Sequence, residues 1–149
     1  MSDHTWTVRV NWIAGQEAKA YTRNHGFTVG QPAGFDQADP HPSAVEYLLG
    51  ALGGDLVNGF YAQAKRRRIT VDAIEMRLSG RLNNVLTHLG VIGETGHPGF
   101  ESITGTLYVS AEADEPLLQE IWRTTLERSP LVNTLQRCVK LSLNLQTIL

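Results

Sequence analysis

The spacing of hydrophobic and polar positions changes several times along the chain, and each change marks an element. Between Thr5 and Ile13, Trp6, Val8, Val10 and Trp12 alternate with polar residues, the period of two that turns one face of a β-strand inward. Ala14-Gly15 signals a turn. A second strand through Lys19, Tyr21 and Arg23 is cut at Asn24-His25-Gly26 before Phe27-Thr28-Val29 resumes, so the first thirty residues predict an antiparallel meander. Gly30 to Pro42 is dense in Gly, Pro and Asp and reads as a loop. Ser43, with Glu46 three residues on, then forms the capping box that opens a helix.

In that helix Val45, Leu48, Leu49, Leu52, Leu56, Phe60 and Ala64 recur every three or four residues as one apolar stripe. Lys65-Arg66-Arg67-Arg68 follows, where positive charge suits the negative end of the helix dipole. Gly50, Gly53, Gly54 and Gly59 lie inside the helix, each costing about 1 kcal/mol relative to alanine. Close approach of another backbone would justify them. Downstream, Val71, Ala73, Ile74, Met76 and Leu78 form a strand-like run, and Asn83-Asn84 begins a looser stretch through Pro98, within the least regular segment, 82–99. Ile103 to Ala111 returns to strand. Asp114 caps a helix carrying Leu117, Leu118, Ile121, Trp122 and Leu126, which Ser129-Pro130 breaks before a short helical turn. From Cys138 to Gln146, Val139, Leu141, Leu143 and Leu145 alternate with polar neighbours. The order is strands, helix, strands, two helices, strand: an α+β protein without internal repeats.

Composition narrows this picture. At 149 residues, with 42% hydrophobic and 19% charged residues, the chain is expected to be one domain with a buried core. A net charge of −2 gives no broad footprint for a phosphate backbone, so no nucleic-acid partner is expected. No apolar run reaches membrane-spanning length, and the polar start Met1-Ser2-Asp3-His4 is unlike a secretion signal, so a soluble protein without a membrane partner is expected. Cys138 is the only cysteine. It excludes an intramolecular disulfide and points to a reducing, cytoplasmic setting.

Two segments resemble the signature motifs of the OsmC/Ohr hydroperoxide-reductase family. Glu46-Tyr47-Leu48-Leu49-Gly50-Ala51-Leu52-Gly53-Gly54-Asp55 is similar to E-L-L-x-A-L-G-G-C, with Asp55 in place of the peroxidatic cysteine. Ser129-Pro130-Leu131-Val132-Asn133-Thr134-Leu135 is similar to C-P-V-x-N-T-L, with Ser129 in place of the resolving cysteine. The resemblance implies an OsmC-like fold: an antiparallel sheet with a long central helix, in an intertwined homodimer whose sites lie at the subunit interface. It also implies a glutamate one position before Glu46, paired with an arginine, to activate the thiolate. Val45 stands there instead.

The family reaction needs a thiolate to attack the peroxide and a second thiol to resolve the sulfenic acid. Neither a carboxylate nor a hydroxyl can take those roles. Asp55 and Ser129 are therefore the candidate site positions, with Glu46 beside them as a candidate ligand-binding residue, although nine residues along a helix turn Glu46 roughly away from Asp55. Asp55 shares its side of the helix with Leu48, Ala51, Leu52, Gly59 and Ala62, and a carboxylate so placed calls for a partner: backbone, an arginine such as Arg77 or Arg81, or water in a vestigial cavity. Cys138 is expected in the last strand, on the face of Lys140, Ser142 and Asn144, as a residue without a catalytic role. His25, His41 and His97 are expected in loops, with Asp36 and Asp39 nearby, and their spacing marks no metal site. Tyr21, Tyr47, Phe60 and Trp122 are expected in the core or a dimer interface. These readings favour a non-peroxidase binder of a small apolar or amphipathic molecule, with no cofactor. The alternatives are an enzyme of altered acid/base chemistry using Asp55, or a residual hydroperoxide reductase linked to oxidative-stress defence.

Overall fold

The structure, a computed structural model, describes residues 4–15, 17–31 and 40–148. Asp36 and Asp39 lie outside the described residues. Two compact units, Met1–Leu48 and Leu49–Leu149, divide the chain.

In the first unit β1 (Arg9–Ala14), β2 (Glu17–Thr22) and β3 (His25–Val29) form an antiparallel sheet in that order, with Val10, Ala20 and Phe27 in register. Arg23 and Asn24 make the second hairpin turn, Arg23 at φ 50°, and Thr22 pairs directly with His25. The break expected at Asn24-His25-Gly26 therefore falls one residue earlier, and His25 belongs to a strand rather than a loop. The strand expected over Thr5 to Ile13 starts only at Arg9, so Val10 and Trp12 share its face while Trp6 and Val8 precede it, and all four are exposed, Trp6 at 86% and Trp12 at 75%. Tyr21 is exposed too and carries the Arg9 guanidinium 4.8 Å above its ring, whereas Tyr47 donates its hydroxyl to Thr28 O (2.7 Å) and packs on Phe27.

Helix α1 (Ala44–Arg66) starts as the capping box requires. Ser43 donates both its backbone N–H (2.7 Å) and its hydroxyl (3.0 Å) to Glu46 Oε2. At the other end Arg68 takes the left-handed conformation (φ 59°), and Ile69 N and Arg68 N bond back to Ala64 O and Lys65 O, a Schellman-type stop with arginine in the place glycine usually fills.

The second unit holds β4 (Val71–Leu82), the single-turn α2 (Val85–His88), β5 (Phe100–Ala111), α3 (Glu115–Arg128), α4 (Pro130–Leu135) and β6 (Lys140–Thr147). Its sheet runs β4-β5-β6. The β4/β5 pair is antiparallel, but β5/β6 is parallel, so the sheet is mixed rather than antiparallel throughout. The cause is the crossover: α3 and α4 carry the chain back to the starting end of β5, which a tight turn could not do. Leu52, Leu56, Phe60 and Ala64 of α1 form the core with Ile103, Leu107 and Val109 of β5 and Leu118, Ile121 and Trp122 of α3. Of the four glycines in α1, Gly53 and Gly59 are set by side chains, not by a neighbouring backbone: a Cβ would sit 3.3 Å from Leu78 and 3.2 Å from Thr125 respectively. Gly50 and Gly54 face open space. No described helix is long and apolar enough to cross a membrane.

Candidate functional site

Ser129 ends one helix and begins the next. Its backbone N–H closes α3 on Leu126 O (3.3 Å), and its extended conformation (φ −72°, ψ 119°) makes it the N-cap of α4, with Pro130 in the first helical position where a missing N–H costs nothing. Its hydroxyl accepts from Val132 N (3.0 Å) and donates to Asp55 Oδ2 (2.5 Å), joining α1 to α4 across 74 residues of sequence. Only 4% of Ser129 is exposed, while Asp55 is half-buried. One proton and a lone pair of the hydroxyl are thus both committed, and a carboxylate acceptor makes the bond charge-assisted. Asn133 braces the same corner, giving Nδ2 to Ser129 O (2.7 Å) and Glu127 O (3.0 Å), and Gln136 Nε2 reaches Asn133 Oδ1 (3.3 Å).

The two positions that sequence reasoning singled out as replaced cysteines are therefore brought into direct contact. Other expectations are revised. Asp55 does not draw on Arg77 or Arg81, because each guanidinium meets a carboxylate on the sheet instead, Arg77 with Glu75 (2.9 Å) and Arg81 with Glu101 (3.2 Å). Glu46 is taken up by the helix cap. The Ser43 N–H first, and then its hydroxyl, hold the Glu46 carboxyl below the ordinary glutamate range. Cys138 is not in a strand: β6 starts at Lys140, and Cys138 sits exposed in the preceding turn, Sγ 3.7 Å from Leu135 O. The alternation that suggested a strand from Cys138 onward persists through Val139 because that residue tucks into the core from the turn itself.

A cleft of about 550 Å³ opens beside this corner, floored by Leu126, Val132, Val139 and Leu141 and edged by Asn133 and Lys140. Val132 and Asn133 therefore serve both the Ser129 network and the cleft. Their part was not singled out from the sequence, although the motif containing them was. Among the described residues, no group of three His, Cys, Asp or Glu is placed to hold a metal ion. His97 Nδ1 accepts from Gly99 N (3.3 Å), and Arg67 pairs with Glu120 (2.9 Å).

The family model for OsmC-like protein matches residues 35–144, well over half of the chain and both motif segments. The chain belongs to the OsmC-like protein family. Solved structures share the fold at low identity. An OsmC-like protein from Mycoplasma pneumoniae is 16% identical, over 99% of this chain and all of that one, with a TM-score of 0.82. An organic hydroperoxide resistance protein from Legionella pneumophila is 11% identical over 98% and 99% of the two chains (TM-score 0.69). OhrB of Bacillus subtilis, another organic hydroperoxide resistance protein, is 19% identical over 95% and 98% (TM-score 0.60). No curated protein matches the chain. This OsmC-like protein thus keeps the architecture of its relatives around a carboxylate and a hydroxyl.

Proposed function

We propose that this OsmC-like protein is a cytoplasmic homodimer that binds a small apolar or amphipathic molecule at the subunit interface and does not reduce hydroperoxides through a thiol. The observation that carries the reading is the Ser129–Asp55 hydrogen bond, which joins the two residues that the motif resemblance sets against the family's cysteines and offers no thiol for peroxide reduction. The one thiol present, Cys138, is exposed in a turn, with its Sγ in a weak hydrogen bond to Leu135 O. A cleft with an apolar floor and a polar edge supports the ligand class. The dimer is supported by apolar surface left open on the chain: the Trp6-to-Trp12 face, and a separate groove along α1 between Gly50, Gly54, Val57 and Met76.

An acid/base reading has one observation in its favour, since a carboxylate hydrogen-bonded to a hydroxyl is the arrangement of a base beside a nucleophile. Burial of Ser129 and its duty as a cap weigh against it. The test combines two measurements on purified protein: thiol-dependent consumption of cumene hydroperoxide, and native mass spectrometry with titration of the amphiphile 8-anilinonaphthalene-1-sulfonate. Absence of turnover with saturable binding to the dimer is expected. Turnover, or a dimer that is empty and binds no probe, overturns the proposal.

A further inference from the structure

Strand β6 is the last strand of its sheet and has no neighbour on its far side among the described residues. It pairs with β5 without a break, from Lys140 opposite Ser102 to Thr147 opposite Val109. Ile148 N–H donates across to Val109 O (2.8 Å), and successive residues of a strand turn their N–H and C=O to opposite sides. Ser142 and Asn144 therefore serve β5, while Leu141, Leu143 and Leu145 turn theirs to the open edge. Gln119 of α3 agrees with this phase, since its Nε2 reaches Leu145 O (3.4 Å). Toward Lys140 the edge is open: the N–H and C=O groups of Leu141 and Leu143 have no partner among the described residues. Free edges are ordinarily blunted by charge, proline or a bulge, yet β6 carries one charge, Lys140, and neither of the others.

The open stretch is also the one that borders the cleft. Leu145 is buried, whereas Leu141 and Leu143 are only half-buried, and with Leu126 of α3, Val132 of α4 and Val139 they line the cleft of about 550 Å³. An apolar cleft alone would take any apolar molecule. A cleft rimmed by unpaired main-chain donors and acceptors suits a chain that returns those bonds while its alternate side chains, about 6.7 Å apart, enter the cleft.

We propose that this edge binds an extended peptide, apolar at alternate positions, which adds to the sheet as a further strand beside β6. The proposal rests on the reading of the cleft as a ligand site given above and names the class of its occupant. Leu141 and Leu143 set the length: bonds to both need a segment reaching one residue past each, about five residues in all.

The test is amide NMR of the full-length protein with the peptide acetyl-Thr-Val-Thr-Val-Thr-amide, with and without 8-anilinonaphthalene-1-sulfonate. In the free protein the Ser142 and Asn144 amides are expected to exchange slowly with solvent and those of Leu141 and Leu143 fast. The peptide is expected to slow the second pair and to displace the dye. N-methylation of one alternate set of peptide amides should abolish binding and N-methylation of the other set should leave it unchanged, because only one set faces β6. Leu141→Pro, which removes an edge N–H that β5 does not use, should weaken binding about fivefold or more with the resonances of β5 retained. Leu141 and Leu143 amides already slow in the free protein, as a strand of a second copy at this edge would make them, overturn the proposal, and so do equal effects of the two N-methylated peptides. Dye binding without any response to the peptide overturns it while leaving the ligand-site reading intact; failure of both probes removes the two together.

Discussion

Replacing Ser129 with alanine removes a single oxygen from the point where two helices meet. Two groups lose their partner at once: Val132 N–H, one of the orphan donors at the start of α4, and Asp55 Oδ2, the acceptor of the hydroxyl proton. Loss of an N-cap costs about 1 kcal/mol, and loss of a hydrogen bond to a charged group about 1.5–3 kcal/mol. Asp55 is only half-buried, so water recovers part of the second figure. A net loss of about 2 kcal/mol is expected, or roughly 4–8 °C in the unfolding midpoint of a chain of this length. Urea unfolding followed by circular dichroism, at one fixed protein concentration because the proposed association would contribute to stability, measures it. Asp55→Ala and the double variant complete a cycle whose coupling energy should be about 1 kcal/mol or more. A Ser129→Ala variant within about 0.3 kcal/mol of the parent, or strictly additive single variants, would refute the assignment of this bond as the link between α1 and α4.

Phe60, fully buried at the centre of the core, should lose about 3–5 kcal/mol on Phe60→Ala, read from the same urea curves. Asp114→Ala removes the oxygen that accepts from Leu117 N (3.3 Å) at the start of α3 and should cost about 1 kcal/mol, with a matching fall in helical ellipticity on warming. Glu46 has a folded pKa below its unfolded one, so its contribution to stability is present above the ordinary glutamate range and is lost as pH falls through the lowered folded value. Carboxyl-carbon NMR of Glu46 should therefore titrate below free glutamate, and a normal or raised midpoint would contradict the capping box. Gly54→Arg, where an added Cβ meets nothing within 4 Å, should leave the protomer folded but turn the proposed dimer to monomer in light scattering; an unchanged mass would remove the groove along α1 from the proposed interface.

The order of elements was legible because each is announced locally: the capping box at Ser43, the three-and-four spacing from Leu52 to Ala64, Asp114 before α3 and Pro130 after it. The parallel pairing of β6 was not, since strand direction is decided by how far α3 and α4 carry the chain and not by the alternation of Leu141, Leu143 and Leu145. Val10 and Trp12 show the opposite limit: period two tells which residues share a face, but not whether this chain covers that face. The motifs singled out Asp55 and Ser129, which the structure joins by a hydrogen bond, yet the partner of Asp55 was sought among backbone groups, arginines and water. Sequence carries no sign that Arg77 and Arg81 stand beside Glu75 and Glu101 on the sheet, whereas the hydroxyl 74 residues away was already named for another reason.

The central claim is that the thiol chemistry of the family has been replaced, and the most direct measurement of it is thiol-dependent consumption of cumene hydroperoxide by the purified protein, beside Cys138→Ser and the Asp55→Cys/Ser129→Cys double variant. Wild type is expected to be silent, and Cys138→Ser indistinguishable from it. Wild-type turnover that disappears in Cys138→Ser would contradict the claim and place the nucleophile in the turn before β6.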